Sequence, residues 1–189
     1  MLTKVISGGQ TGADIAGLKT AKSFGIETGG LMPFGFKAYD ACHPEYKELY
    51  GVEAHTSSSY VPRTRANVQN SDGTIRLARD FQSAGEICTK KAIDQYGKPW
   101  FDYDLAFPWI PKIENSQCYK LIQAAIAWIE DSNIEVLNVA GNRQRTPMVD
   151  SIDIEERASL FLTELFKGLG HKEPQGCVTL QDSSDGSPE

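Results

Sequence analysis

Lys4-Val5-Ile6-Ser7-Gly8-Gly9-Gln10-Thr11-Gly12-Ala13-Asp14 decides how this chain of 189 residues is to be read. An apolar, strand-like run breaks into a glycine turn, and helix-compatible residues follow from Ala13 to Phe24. Strand, glycine turn and helix N-terminus together make an anion site. Glycines let backbone N–H groups converge on a ligand, and the helix end adds about half a positive charge. The spelling excludes two common guests. No Lys-Ser or Lys-Thr pair closes the loop, and Gly-Gly-x-x-Gly is not the dinucleotide spacing. Asp14 falls in the first helical turn, where an acid is favoured by the dipole and could equally accept a ligand hydroxyl or amine.

Working outward, strand-like and helical segments alternate. A short second strand within 25–33 carries Gly29-Gly30, and residues 34–62 read as a long loop-like insertion. A helix is expected at 64–71, a strand at 74–78, a helix at 85–96 and a strand at 100–105. Phe107 to Pro111, with two prolines, should be an extended connection. Cys118, Leu121, Ile122, Ala125, Ile126 and Ile129 form one apolar stripe of a helix, with Ser116 as its N-cap. Residues 135–140 form a strand that ends in a second glycine turn, Gly141-Asn142-Arg143. A last helix spans 153–169 and opens on Asp153 and Glu156 in capping-box spacing. The expected fold class is therefore α/β, a doubly wound parallel sheet with helices on both faces. Ligands of such sheets bind at the carboxyl ends of the strands, and three glycine-bearing strand ends would line that edge here. One domain is expected over 1–170, followed by a flexible acidic tail at 171–189.

Composition narrows the function classes. Hydrophobic residues at 40% and charged residues at 23% describe an ordinary globular chain. A net charge of −6 argues against a nucleic-acid surface. Asp182, Asp185 and Glu189 supply three of those charges, and residues 181–189 contain no Lys or Arg. With no membrane-length apolar run and no signal-peptide pattern, the expected location is the cytoplasm. Cys42, Cys88, Cys118 and Cys177 form no C-x-x-C pair, and His43, His55 and His171 are scattered, so no metal site is expected.

Several phrases together resemble the molybdenum cofactor carrier proteins. They are Ser7 to Asp14, Gly29-Gly30 leading to Pro33 and Gly35, Arg63-Thr64-Arg65-x-Asn67-Val68, Ser71-Asp72-Gly73-Thr74, Thr89, Lys98-Pro99 and Asn138-Val139-Ala140-Gly141. The resemblance spans residues 3–169. It implies a Rossmann-like fold, a homo-oligomer (a tetramer), and binding, protection and transfer of molybdopterin without chemical turnover. The implied partners are this pterin phosphate, molybdoenzymes or cofactor-synthesis proteins, with no nucleic acid and no membrane.

The implied binding residues are Gly8, Gly9, Gln10, Thr11, Gly12, Asp14, Gly30, Lys37, Arg65, Asn67, Asp72, Gly73, Thr74, Thr89, Gly141 and Asn142, with no catalytic residue. The 8–12 turn would take the phosphate. Gln10, Asn67, Asp72 and Asn142 would meet the polar ring edges, and Lys37, Arg63, Arg65, Arg143 and Arg145 are the candidate cations.

A related group, the phosphoribohydrolases labelled lysine-decarboxylase-like, carries P-G-G-x-G-T-x-x-E. Here that region reads Ser83-Ala84-Gly85-Glu86-Ile87-Cys88-Thr89-Lys90-Lys91-Ala92, with Ala92 in place of the motif's Glu. A nucleoside-monophosphate phosphoribohydrolase using Glu86 or Asp14 is therefore the alternative, and a nucleotide-ligand sensor is a third class.

Overall fold

In a computed structural model, residues 1–107, 116–144 and 153–172 are described. Six strands form one parallel sheet: β1 (Lys4–Ser7), β2 (Glu27–Met32), β3 (Val52–Ala54), β4 (Gly73–Ala78), β5 (Trp100–Asp104) and β6 (Val136–Gly141). Their order across the sheet is β3-β2-β1-β6-β4-β5. The helices are α1 (Ala13–Ser23), α2 (Tyr46–Tyr50), α3 (Tyr60–Gln69), α4 (Ala84–Tyr96), α5 (Gln117–Asp131) and α6 (Ile154–Gly168). The doubly wound α/β architecture expected from the sequence is the one observed.

Side-chain alternation divides the sheet into two unlike faces. Val5, Ile75, Leu77, Leu137 and Val139 point to one face and pack with α1, α5 and α6 in the main core, around Phe161, Leu162, Leu165 and Phe166. The apolar stripe of α5 lies in this core, and Ser116 caps the helix by accepting the Tyr119 N–H at 3.1 Å. Asp153 caps α6 in the same way, accepting from Glu156 at 2.9 Å. The second face carries Thr74, Arg76 and Asn138, all nearly solvent-free. It is covered by α3 and α4, which meet through Val68, Ala92 and Ile93. Strands of a sheet covered on both sides usually read as continuous apolar runs. Three polar residues inside such strands therefore mark a face built for something besides packing.

Three expectations are corrected. Residues 34–62 hold α2, the edge strand β3 and the first residues of α3, not one long loop. Gly29-Gly30 lie inside β2, not at its end. Gly29 pairs with Ile6 and Gly30 with Val52. Asp72-Gly73-Thr74 begin β4 and so lie at the amino edge, opposite the edge where ligands of such sheets bind. The Asp72 carboxylate accepts the N–H groups of Glu135 (3.1 Å) and Val136 (2.8 Å), tying the starts of β4 and β6. Thr74 Oγ1 accepts from Asn138 Nδ2 at 3.2 Å between those strands. The expected extended segment at 107–111 falls, from residue 108, outside the described residues, as do Arg145 and the tail from residue 173.

Asp72→Ala is expected to lose about 2 kcal/mol of stability in urea unfolding, the usual loss for hydrogen bonds to a charged acceptor. Ligand affinity should not change, because β4's length separates Asp72 from the opposite edge. A variant with normal stability and weakened binding would return Asp72 to the site.

Candidate functional site

The chain runs outward from β1 to β3 on one side, and β4 and β5 lie on the other, with β6 between the two sets. The helices after β1 and after β4 leave to opposite faces, so a crevice opens at the carboxyl ends of β1, β6 and β4. A cavity of about 750 Å³ occupies it, within the range of small-molecule sites. Its walls come from the glycine turn after β1, from α3, from the β4–α4 loop with the first turns of α4, and from β6 with its following turn.

Of the implied binding residues, Gly8, Gln10, Asp14, Asn67, Thr89, Gly141 and Asn142 line this cavity. Gly9, Thr11 and Gly12 belong to the same turn but are not in the wall. Gly9 backs onto Met32, and Gly12, at φ +86°, lies where any Cβ would meet Asn142 O at 2.5 Å. The first glycine turn is knitted to the second: Ala13 N–H donates to Asn142 O (3.1 Å) and Gln144 N–H to Thr11 O (3.3 Å). Two amides within the turn are also engaged. Gln10 N–H donates to Asp14 Oδ2 (3.4 Å) and Thr11 N–H to Gln10 Oε1 (3.0 Å).

Asn67 and Asn142 also spend their amides on the fold. Asn67 brackets the backbone of Leu31, accepting at 2.8 Å and donating at 3.1 Å. Asn142 Oδ1 accepts from the N–H groups of Arg79 and Asp80, and its Nδ2 donates to Asp80 O, which fixes the β4–α4 loop. Lys37 is exposed in a loop whose bridge is to Cys42. Arg65 is exposed on the outer side of α3.

The helical period explains the choice of cation. Arg63 and Asn67 are four residues apart and share a face, whereas Arg65 is turned away by two residues. Arg63, not Arg65, enters the cavity wall. Its Nη1 pairs with Asp14 Oδ2 at 3.3 Å, and the two side chains are only 12% and 6% exposed. Gly8 makes that fit possible, because a Cβ there would stand 1.4 Å from Arg63 Nη1. Arg143 lies over the Tyr39 ring at 4.0 Å, beside the turn where Tyr39 N–H donates to Gln10 Oε1 (2.6 Å).

Glu86, the acid of the hydrolase alternative, lies in the cavity wall, and Arg76, which no motif pointed to, braces it from behind. Arg76 forms a two-pronged pair with Asp102, with Nε to Oδ1 at 2.7 Å, and its Nη1 donates to the Glu86 carbonyl at 3.2 Å. Glu86, in the first turn of α4, is 2% exposed and lines the cavity. Burial pushes its carboxyl up to about 7, with Arg76 opposing and Asp14, Asp102 and Asp80 adding to the rise. Burial also raises Asp14, against the pull of Arg63 and the Gln10 N–H. Arg63 Nε and Glu86 Oε2 are buried without a hydrogen-bond partner in the described structure. Buried polar atoms of this kind call for an explanation, and both belong to residues of the cavity wall. The sequence carried one signal for Arg76: a charged residue at an inner position of a strand buried on both faces.

The first amides of α4 have no intrahelical acceptor, and Ser83 begins the helix without a side-chain capping bond. Ser83, Ala84 and Gly85 line the cavity, and the space beside Gly85 is open. This helix end, rather than that of α1, presents its dipole to the crevice. Among the described residues no group of His, Cys, Asp and Glu could hold a metal ion. None of the described helices is long and apolar enough to cross a membrane.

The model of the circularly permutated YpsA SLOG family matches residues 5–166. A crystal structure described as a putative molybdenum carrier protein, from Syntrophus aciditrophicus SB, is 32% identical. The match covers 87% of this chain and 94% of that one, with a TM-score of 0.73. No curated protein matches the chain.

Proposed function

The chain belongs to the circularly permutated YpsA SLOG family, and from that premise we propose that it is a binding protein for a phosphorylated heterocycle, molybdopterin being the ligand favoured. The carrying observation is the crevice itself. It is a 750 Å³ cavity at the switch point, with Arg63 and the open end of α4 on its wall and carboxyl groups at its floor. A pterin phosphate asks for that combination. Its phosphate suits a helix N-terminus and a guanidinium. The N–H groups of its ring edge suit Asp14 as an acceptor. The likeness to a protein described as a molybdenum carrier supports the choice of ligand. In this reading the phosphate lies against α4 and Arg63, and the Gly8–Gly12 turn shapes the cavity. Protection and handover of the ligand, a cytoplasmic location and a tetrameric assembly belong to the same proposal.

Anaerobic titration of the full chain with isolated molybdopterin should show saturable binding and slower oxidation of the ligand. Binding that never saturates, or oxidation at the free rate, overturns this reading.

One observation favours a second reading. Asp14 and Glu86 are two carboxyl groups of one cavity in unlike surroundings, the pattern of an acid and a base. A phosphoribohydrolase would release adenine from AMP at a rate that Glu86→Gln abolishes. AMP left intact removes this alternative.

A further inference from the structure

Of the acids Asp14, Asp102 and Glu86, in and behind the cavity wall, Glu86 alone has no cation of its own. Asp14 (α1) faces Arg63 (α3), Asp102 (β5) takes the two-pronged pairing of Arg76 (β4), and Glu86 (α4) stands as the third carboxyl. Its nearest cation is Arg76 Nη1, 3.8 Å from Oε2, on a guanidinium already committed to Asp102. Asp80, in the β4–α4 loop, adds a further negative charge nearby. Arg79 and Arg143 line the outer cavity. Thr89, one turn along α4, directs its hydroxyl to the Gly85 carbonyl at 3.1 Å. Asp102 is partly exposed and already holds the Arg76 guanidinium, so an ionised Glu86 would be a charge without a partner of its own in a water-poor place, which is costly. A single proton removes it. Burial raises both carboxyls, but Asp14 has a guanidinium and an N–H within hydrogen-bond reach to oppose it, whereas Glu86 Oε2 has no hydrogen-bond partner, so the proton belongs on Glu86.

We infer that Glu86 selects the ligand as a neutral acid, donating its proton to an oxygen of the ligand's phosphate beside the N-terminus of α4. This rests on the proposal that the cavity takes a phosphate ester, and it names the residue that makes the affinity depend on pH. An ionised Glu86 would repel the phosphate from that helix end. A neutral one adds a donor to it.

The sign follows from linkage. If the bound state requires the acid form, affinity falls tenfold per pH unit once the pH exceeds the carboxyl's own value near 7. The test uses AMP as probe between pH 7 and 9, where its phosphate is a dianion throughout, with the full chain in calorimetry. Wild type should weaken by about tenfold from pH 8 to 9. Glu86→Gln, always neutral and a donor, should bind with a flat profile and exceed wild type at pH 9. Glu86→Ala should be flat and weaker.

Carbon-13 NMR of glutamate-labelled protein, assigned by Glu86→Gln, gives a readout that needs no ligand. Glu86 should titrate near neutrality. A wild-type profile that is flat or rises with pH overturns the inference, as does a Glu86→Gln profile of unchanged slope. Glu86 ionised at pH 5 with binding intact overturns the proton while sparing the phosphate reading. If neither AMP nor molybdopterin binds, the phosphate reading falls and takes this inference with it, whatever the carboxyl does.

Discussion

Gly30→Ala is expected to be among the most damaging single substitutions in this chain, although Gly30 touches no part of the cavity. It sits within β2 at φ +121°, a backbone conformation that side chains of L-residues rarely adopt. An added Cβ would lie 2.1 Å from Ser7 O and 2.7 Å from Ser7 N. Those atoms are backbone of β1, so no rotamer change can relieve the clash, and β2 would have to part from the strand that carries the first glycine turn. Backbone strain of about 1–3 kcal/mol and overpacking of similar size together predict a loss of about 3–5 kcal/mol. For a chain of this length that lowers the melting temperature by on the order of 10 °C. Gly97→Ala is the control. It too has positive φ (+61°), but nothing lies within 4 Å of its Cβ, so only the conformational cost of about 1 kcal/mol applies. Urea unfolding of both variants separates the clash from the strain. A Gly30→Ala protein within about 1 kcal/mol of wild type would refute the packing role.

Gly30 also shows what the sequence could and could not disclose. A glycine pair after a short apolar run looks the same whether it ends a strand or lies inside one, because glycine allows both turns and close backbone approach. Only the neighbour, Ser7 of β1, makes it structural. Features governed by local period were legible: β1 with α1, the stripe and Ser116 cap of α5, the Asp153 cap of α6, and the parallel sheet their alternation required. The short elements of residues 34–62 were not, because a five-residue helix and a three-residue edge strand hold too few periods to show a pattern. Asp72-Gly73-Thr74 reads as a site phrase only through the resemblance, yet its place at the amino edge of β4 gives it a joining role. Arg63 and Arg65 differ by two residues and so by helix face, a distinction available once α3 is extended back to Tyr60. Glu86 was legible only as the acid of the hydrolase alternative. Its chemistry comes from Arg76 and Asp102, on strands far from it in sequence.

The strand order makes sense of the family's description. Read as a circle from β6, the strands run β6-β1-β2-β3 to one side and β4-β5 to the other, the plain doubly wound arrangement. Leu2 and Leu169 line one small cleft, so the two ends of the described fold lie together as such a circle requires. The switch point then falls between β6 and β4 wherever the chain is cut. That is why the second glycine turn and the N-terminus of α4 join the more conspicuous first turn in framing the cavity.

Arg63→Ala tests that frame most severely. The Arg63–Asp14 pair is largely buried, and removing one partner of such a pair leaves an uncompensated charge at a cost of about 3–5 kcal/mol. The remaining acid relieves part of this by taking up a proton. Its folded value, already raised by burial, would rise further without the guanidinium. A carboxyl whose folded value lies above its unfolded one binds more protons when folded, so stability falls as pH rises between the two values. Arg63→Ala should therefore be least stable above neutral pH and recover towards pH 5, while wild type changes less.

Asp14→Asn with Arg63→Ala should regain much of the loss at pH 8, because the buried charge disappears with its partner. In the same samples, AMP affinity should drop about a hundredfold or more for Arg63→Ala and for the double variant. Asp14→Asn alone should keep most of it. This split distinguishes a guanidinium that grips the ligand from one that only neutralises Asp14. If the double variant recovered affinity together with stability, Arg63 would be a structural counter-charge and the phosphate would have to be held by α4 alone.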